Sequence, residues 1–195
     1  MKTVSRKSVE QKLSETLKTM DFAFSGGTAV YEIDEEFLGW IGFNIGNHPD
    51  FIRLNVSVGI HCIPVMEAFA RGLGIKYRKG KSATYRENLS SITTGQHDYI
   101  VSNENNLTDE VDRLARVLVL DAKPFVERLA NFQALENKVF PLIGQHGGNP
   151  ELYALILLKS GKLTQFEEFA KNWLSECKGD QAHEWKKFIS TVKSV

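Results

Sequence analysis

The stretch Phe37–Met66, FLGWIGFNIGNHPDFIRLNVSVGIHCIPVM, decides the fold. Phe37, Trp40, Ile41, Phe43 and Ile45 precede a break at Gly46-Asn47-His48-Pro49-Asp50. Ile52, Leu54, Val56, Val58 and Ile60 then alternate at period two. Two apolar runs around a Gly/Asn/Pro/Asp turn predict a hairpin. The alternation places Arg53, Asn55, Ser57 and Gly59 on the opposite face, so the sheet is expected to be covered on one side only.

Composition bounds the rest. The 195 residues are 42% hydrophobic and 25% charged, enough for one sizeable core or two small ones, with a single compact unit favoured, and too apolar for disorder. Lys and Arg number 24 against 24 Asp and Glu, so no global field draws the chain toward nucleic acid or an anionic membrane. The start, MKTVSRKSVEQKLSETLKTM, has no apolar stretch of signal-peptide length, and no run is long enough to span a bilayer. A cytoplasmic location follows as the expectation. Cys62 in an apolar strand and Cys177 near a helix end read as reduced thiols used as small hydrophobes.

Outward from the hairpin, Val9, Leu13, Leu17 and Met20 recur at helical spacing and predict a helix over about residues 5–20. Val30, Tyr31 and Ile33, after the Ser25-Gly26-Gly27 turn, predict a short strand. Pro64 stops the long strand, and Val65, Met66, Phe69, Ala70 and Leu73 continue as a helix closed by Gly72 or Gly74. Tyr77, Ala83, Tyr85, Leu89 and Ile92 suggest one or two strands, and residues 98–101 a last one.

After Asn103 the pattern turns helical. Residues 107–140 hold one proline and no glycine, and a break into two helices is predicted near Pro124, whose preceding residue is pushed toward extended backbone. Asn149 with Pro150 starts a further helix, Thr164 and Glu167 form a capping box for the next, and Asp180 caps the last. The expected fold class is α+β: an antiparallel sheet with flanking helices followed by a C-terminal antiparallel helical segment. Residues 1–195 read as a single compact domain, with 1–104 the sheet part and 105–195 the helical part.

The search for chemistry returns little. No glycine-rich phosphate loop, nucleophile elbow or paired-cysteine zinc motif is present, and no cofactor or metal is expected. His61 and Cys62 are neighbours on a strand, so their side chains point to opposite faces and cannot act as a base and thiol pair. His48 and His97 sit in turns, and His183 opens the last helix. His146, in Gln145-His146-Gly147-Gly148-Asn149, is the histidine placed most like an active-site lid residue.

Two charge clusters remain. Glu32, Asp34, Glu35 and Glu36 crowd one strand end without a base, while Arg71, Lys76, Arg78, Lys79, Lys81 and Arg86 span a stretch without an acid. A solvated edge that blocks aggregation explains each, and docking of a charged partner is the competing reading. Tyr77 and Tyr85 among the bases could stack nucleotides, but a short stretch in a neutral chain disfavours nucleic acid.

The string Gly39-Trp40-Ile41-Gly42-Phe43-Asn44, the strand ending Val58-Gly59-Ile60-His61 and the helix opening Val65-Met66-Glu67 look like a motif of small bacterial proteins. Less specifically, they resemble the cytosolic immunity proteins of contact-dependent inhibition and related polymorphic toxin systems. The similar stretch covers roughly residues 24 to 75. The resemblance implies a non-enzymatic module that binds and neutralises a cognate toxin domain, often a nuclease. It carries over no binding residue. Glu32, Asp34, Glu35 and Glu36 are the expected partner-binding residues, because a nuclease toxin must be basic to hold phosphates, and no membrane partner is expected. The rival readings are a small hydrolase or nuclease using His146 or His61, and a helical scaffold or adaptor.

Overall fold

In the computed structural model, which describes residues 4–95, 98–145 and 148–194, the period-two run is the interior strand of an α+β fold. This strand, β4 (Ile52–Cys62), neighbours β3 (Phe37–Asn47) on one side. Two short strands share its other side. β6 (Tyr99–Val101) pairs with residues 52–54, and β5 (Tyr85–Asn88) with residues 57–60, both antiparallel. On the far side of β3 lie β2 (Thr28–Glu32) and then β1 (Ala23–Ser25), also antiparallel. The β1–β2 loop is Gly26-Gly27 with φ of +56° and +77°, the left-handed backbone that a two-residue hairpin needs and that glycine adopts without strain.

The one-sided sheet holds only along part of its length. β4 alternates as expected from Ile52 to Val58, but Gly59, Ile60, His61 and Cys62 are buried in succession, as are Phe37 to Ile41 on β3. Gly59 is pressed against the backbone of β5, where a Cβ would lie 2.0 Å from the Tyr85 carbonyl oxygen. His61 is covered by the chain at Gly80–Ser82. The covering residues come about twenty positions later, beyond the reach of a local period.

The sheet belongs to a compact unit of residues 1–61 and 80–128. Here α1 (Arg6–Lys18), capped by the Ser5 hydroxyl accepting from the Ser8 N–H, buries the stripe Val9, Leu13 and Leu17. It packs on β1 and on α4 (Glu104–Val117), whose Val111, Leu114 and Ala115 form the facing stripe. A large apolar side chain fully buried in this way contributes about 1.5–3 kcal/mol. The short helix α3 (Leu89–Ile92) follows β5 directly.

The break expected near Pro124 does not occur there. Helical backbone runs from α4 through a π turn at Leu118–Ala122 into α5 (Lys123–Glu127), and Lys123 is helical with φ −59° and ψ −50°. Proline offers no N–H and crowds the carbonyl four residues back. The wider turn just before it, closed by the Lys123 N–H on the Leu118 carbonyl, takes up that mismatch without ending the helix. The chain breaks at Asn131 instead, extended at φ −160°, whose side chain caps α6 (Phe132–Val139).

The second compact unit comprises residues 62–79 and 129–195. Its centre is α7 (Pro150–Lys159), with Tyr153 to Leu157 all buried, packed against α6, α8 (Leu163–Glu176) and α2 (Ile63–Gly72). α2 also packs on α9 (Asp180–Lys193), and the Trp185 indole N–H donates to the Ala170 carbonyl at 3.0 Å. The division thus falls after residues 61, 79 and 128 rather than at 104, because the stripe of α4 packs on α1 and β6 while α2 packs among the C-terminal helices.

Two caps differ from expectation. α8 begins at Leu163 with no side-chain cap, so the Thr164–Glu167 box is not formed; Lys162, tied to Gln133 and Glu136 of α6, starts the helix earlier. α9 begins at Asp180 itself, with Gly179 at the cap position.

Candidate functional site

β2 and β3 are joined by a four-residue turn, Ile33-Asp34-Glu35-Glu36. The N–H groups of Ile33 and Asp34 both donate to the Phe37 carbonyl, at 3.1 and 3.3 Å. Asp34 Oδ1 accepts the backbone N–H of Glu36 and of Phe37, each at 2.8 Å. One of the four acidic residues is therefore a structural part of the turn, which an Asx interaction of this kind stabilises. Phe37, immediately after it, is 3% exposed and anchors the turn in the core.

Glu32, Asp34, Glu35 and Glu36 are all exposed, so the structure brings the four expected binding residues to one end of the β2–β3 hairpin. The carboxylates of Glu35 and Glu36 make no hydrogen bond or ion pair with the described residues. Four acidic side chains within five positions, two of them uncommitted, stand on a turn backbone held by four hydrogen bonds and make a concentrated negative surface.

The basic stretch is divided by the fold. Arg71, Lys76, Arg78 and Lys79 fall in the unit of C-terminal helices, beside exposed Leu73 and Ile75, whereas Lys81 and Arg86 belong to the sheet unit.

His61 has a structural task. It is fully buried, and its Nδ1 lies 2.6 Å from the Ser82 carbonyl oxygen while Nε2 lies 3.3 Å from the Gly80 nitrogen. A carbonyl can only accept, so Nδ1 carries the proton and Nε2 accepts from the Gly80 N–H. The lone pair a general base would use is already engaged. His48 stacks on Phe51 at 4.4 Å in the β3–β4 turn, a role that fits its place in the sequence. His146 and His97 lie outside the described residues. Cys62 is buried and Cys177 half-buried, both as free thiols; burial pushes the Cys177 thiol up, with Glu151 and Glu176 adding to the shift.

Among the described residues no three His, Cys, Asp or Glu side chains gather in a way that could hold a metal ion, and no helix is long and apolar enough to cross a membrane. The acidic turn could be found in the sequence because its carboxylates are adjacent in the chain. The rigidity given to it by Asp34 could not. No family model matches the chain, and no curated protein or solved structure matches it either.

Proposed function

We propose that this chain is a non-enzymatic protein-binding module of the immunity-protein kind, which captures a basic toxin domain through the β2–β3 turn. The observation that carries the reading is the fixed acidic turn, with Glu35 and Glu36 presented uncommitted on a hydrogen-bonded backbone. An inhibitor needs no reactive group of its own; it needs a surface that is rigid and opposite in charge to the cleft it occludes. A domain that cleaves nucleic acid must be basic where it holds phosphates, and acidic side chains that mimic that charge would compete there.

The test is the double substitution Glu35→Lys with Glu36→Lys, assayed against the toxin encoded in the neighbouring reading frame. Both positions are exposed and outside the Asp34 bonds made through side chains, so the fold should be kept. Association should slow and lose its salt dependence if the pair lies at the rim, while a central position would cost about 2–5 kcal/mol through faster dissociation. Unchanged affinity would remove the turn from the interface, and failure of the unsubstituted chain to bind any neighbouring toxin would sink the immunity reading.

A further inference from the structure

The stretch from Ala68 to Arg86 holds six basic residues and no acid, and its first part is the C-terminal end of α2, in the unit of C-terminal helices. There the chain leaves the helix through a hydrogen-bonded cap. Gly74, at φ +67°, donates its N–H to the Arg71 carbonyl at 3.0 Å, and the Ile75 N–H donates to the Ala70 carbonyl at 2.9 Å. In such a cap the apolar side chain after the glycine commonly folds back on the helix. Here Ile75 is 59% exposed and Leu73 48%, so two large apolar side chains stand in water on a backbone that is held. We propose that this cap is the docking surface for an acidic segment of another protein, one that carries large apolar side chains among its carboxylates.

Leu73 also walls a cleft of about 290 Å³ whose other sides come from α7 and α9. Phe188, 3% exposed, lies at its base; a Cβ on Gly72 would be 2.3 Å from that ring, so the α2 backbone rests directly on it. A cleft of this size beside two exposed aliphatic side chains can seat a large side chain of a partner, the apolar centre around which interfaces are built. Arg71 before the cap and Lys76 and Arg78 after it are exposed. None of the three makes a side-chain hydrogen bond or ion pair with the described residues. Cations so placed form a rim that speeds the capture of an acidic partner.

The same residues decide which partner fits. A nucleic-acid strand would satisfy the cations and leave Leu73 and Ile75 with no aliphatic surface to meet. An anionic bilayer would bury both, but it is broad. Glu151 and Glu184 line the cleft beside Leu73, and a plane of lipid phosphates would be pressed against them. A protein segment is narrow enough to lie along residues 71–78 and can turn an N–H toward the two carboxylates where it passes them.

The experiment is a titration of the full chain with a fluorescent peptide in which Asp and Glu are interspersed with Leu and Phe, read by anisotropy and by amide-resolved NMR. Saturable binding with shifts centred on residues 70–78 and 184–191 is the expected result. A peptide with Ser in place of Leu and Phe, and one with Lys in place of Asp and Glu, should each bind at least about tenfold more weakly. Leu73→Ser with Ile75→Ser should lose at least about tenfold in affinity, and Lys76→Glu with Arg78→Glu should weaken binding by slowing association. All four positions are exposed, so the thermal midpoint should stay in place; Ile75→Ser alone serves should the first pair misfold. Lack of saturable binding, equal binding of either control peptide, undiminished affinity in either double variant, or tighter binding to phosphatidylserine vesicles or to a thymidine oligonucleotide would overturn the proposal. The cap and the acidic turn belong to different units and the probe is no toxin, so the outcome is independent of the immunity reading.

Discussion

Gly39 and Gly42 leave room for two aromatic rings, which is why the Gly-Trp-Ile-Gly-Phe string reads as it does. A Cβ on Gly39 would lie 2.0 Å from Cε1 of Tyr31, its cross-strand partner, and one on Gly42 would lie 2.2 Å from Cη2 of Trp40. Neither glycine is needed for a turn or a bulge. The Tyr31 ring cannot give way cheaply: Phe22 meets it edge-on at 5.0 Å, the Lys123 ammonium lies 5.2 Å from its centroid, and its hydroxyl donates to the Lys123 carbonyl at 3.4 Å. Overpacking a site pinned from three sides should cost about 1–3 kcal/mol. Gly39→Ala is therefore expected to lower the denaturant midpoint by that amount with an unchanged slope. In a Tyr31→Val background the same methyl should cost less than about 0.5 kcal/mol, since the two residues share one contact and their effects must couple. Additive losses would show that the ring is not the obstacle.

At the scale of elements, the helix starts separate chemistry that is local from chemistry that is not. Asn149 Oδ1 accepts the Leu152 N–H at 2.9 Å with Pro150 just inside the helix, as its sequence predicts. Thr164 lies inside α8 and caps nothing, because Lys162 reaches Gln133 at 2.8 Å and Glu136 at 2.5 Å and begins the helix two residues sooner. Asn149→Ala should thus cost about 1 kcal/mol in a denaturant melt and Thr164→Ala less than about 0.5. Equal losses would contradict the observed start of α8. The same distinction governs what could be read beforehand. The β3–β4 hairpin was legible because period two and turn chemistry act between neighbours, and so was the acidic turn, whose carboxylates are consecutive. The burial of Gly59 and His61 and the two-strand edge of β4 were not. Each depends on which distant segment lies alongside, and nothing near Asn55 announces that two separate short strands share its edge of β4.

Across the whole molecule, the tyrosines report on both compact units at once. Tyr31, Tyr85 and Tyr99 belong to the sheet unit, and Tyr77 and Tyr153 to the unit of C-terminal helices; together they are all five tyrosines of the chain. Every one of these phenols is held above its ordinary value of 10.0, first of all by burial. Carboxylates add to the shift: Glu127 at Tyr31, Glu136 at Tyr153, and Glu67 at Tyr77, which is pushed up to about 12. At Tyr85 the hydrogen bond to Glu87 acts in the same direction, whereas at Tyr99 the guanidinium of Arg113, 4.3 Å from the ring centroid, partly opposes burial. The consequence for stability has a definite sign. Below about pH 10 the phenols are protonated in folded and unfolded chains alike and contribute no pH dependence. Above it the unfolded chain releases protons that the folded chain retains, so stability falls as pH rises through the window between the unfolded and folded values. Absorbance at 295 nm and far-ultraviolet circular dichroism followed together from neutral to strongly alkaline pH should show tyrosinate appearing only as helical signal is lost. Tyrosinate forming near pH 10 while the dichroism is unchanged would mean that these rings are not sheltered as the packing of the two units requires.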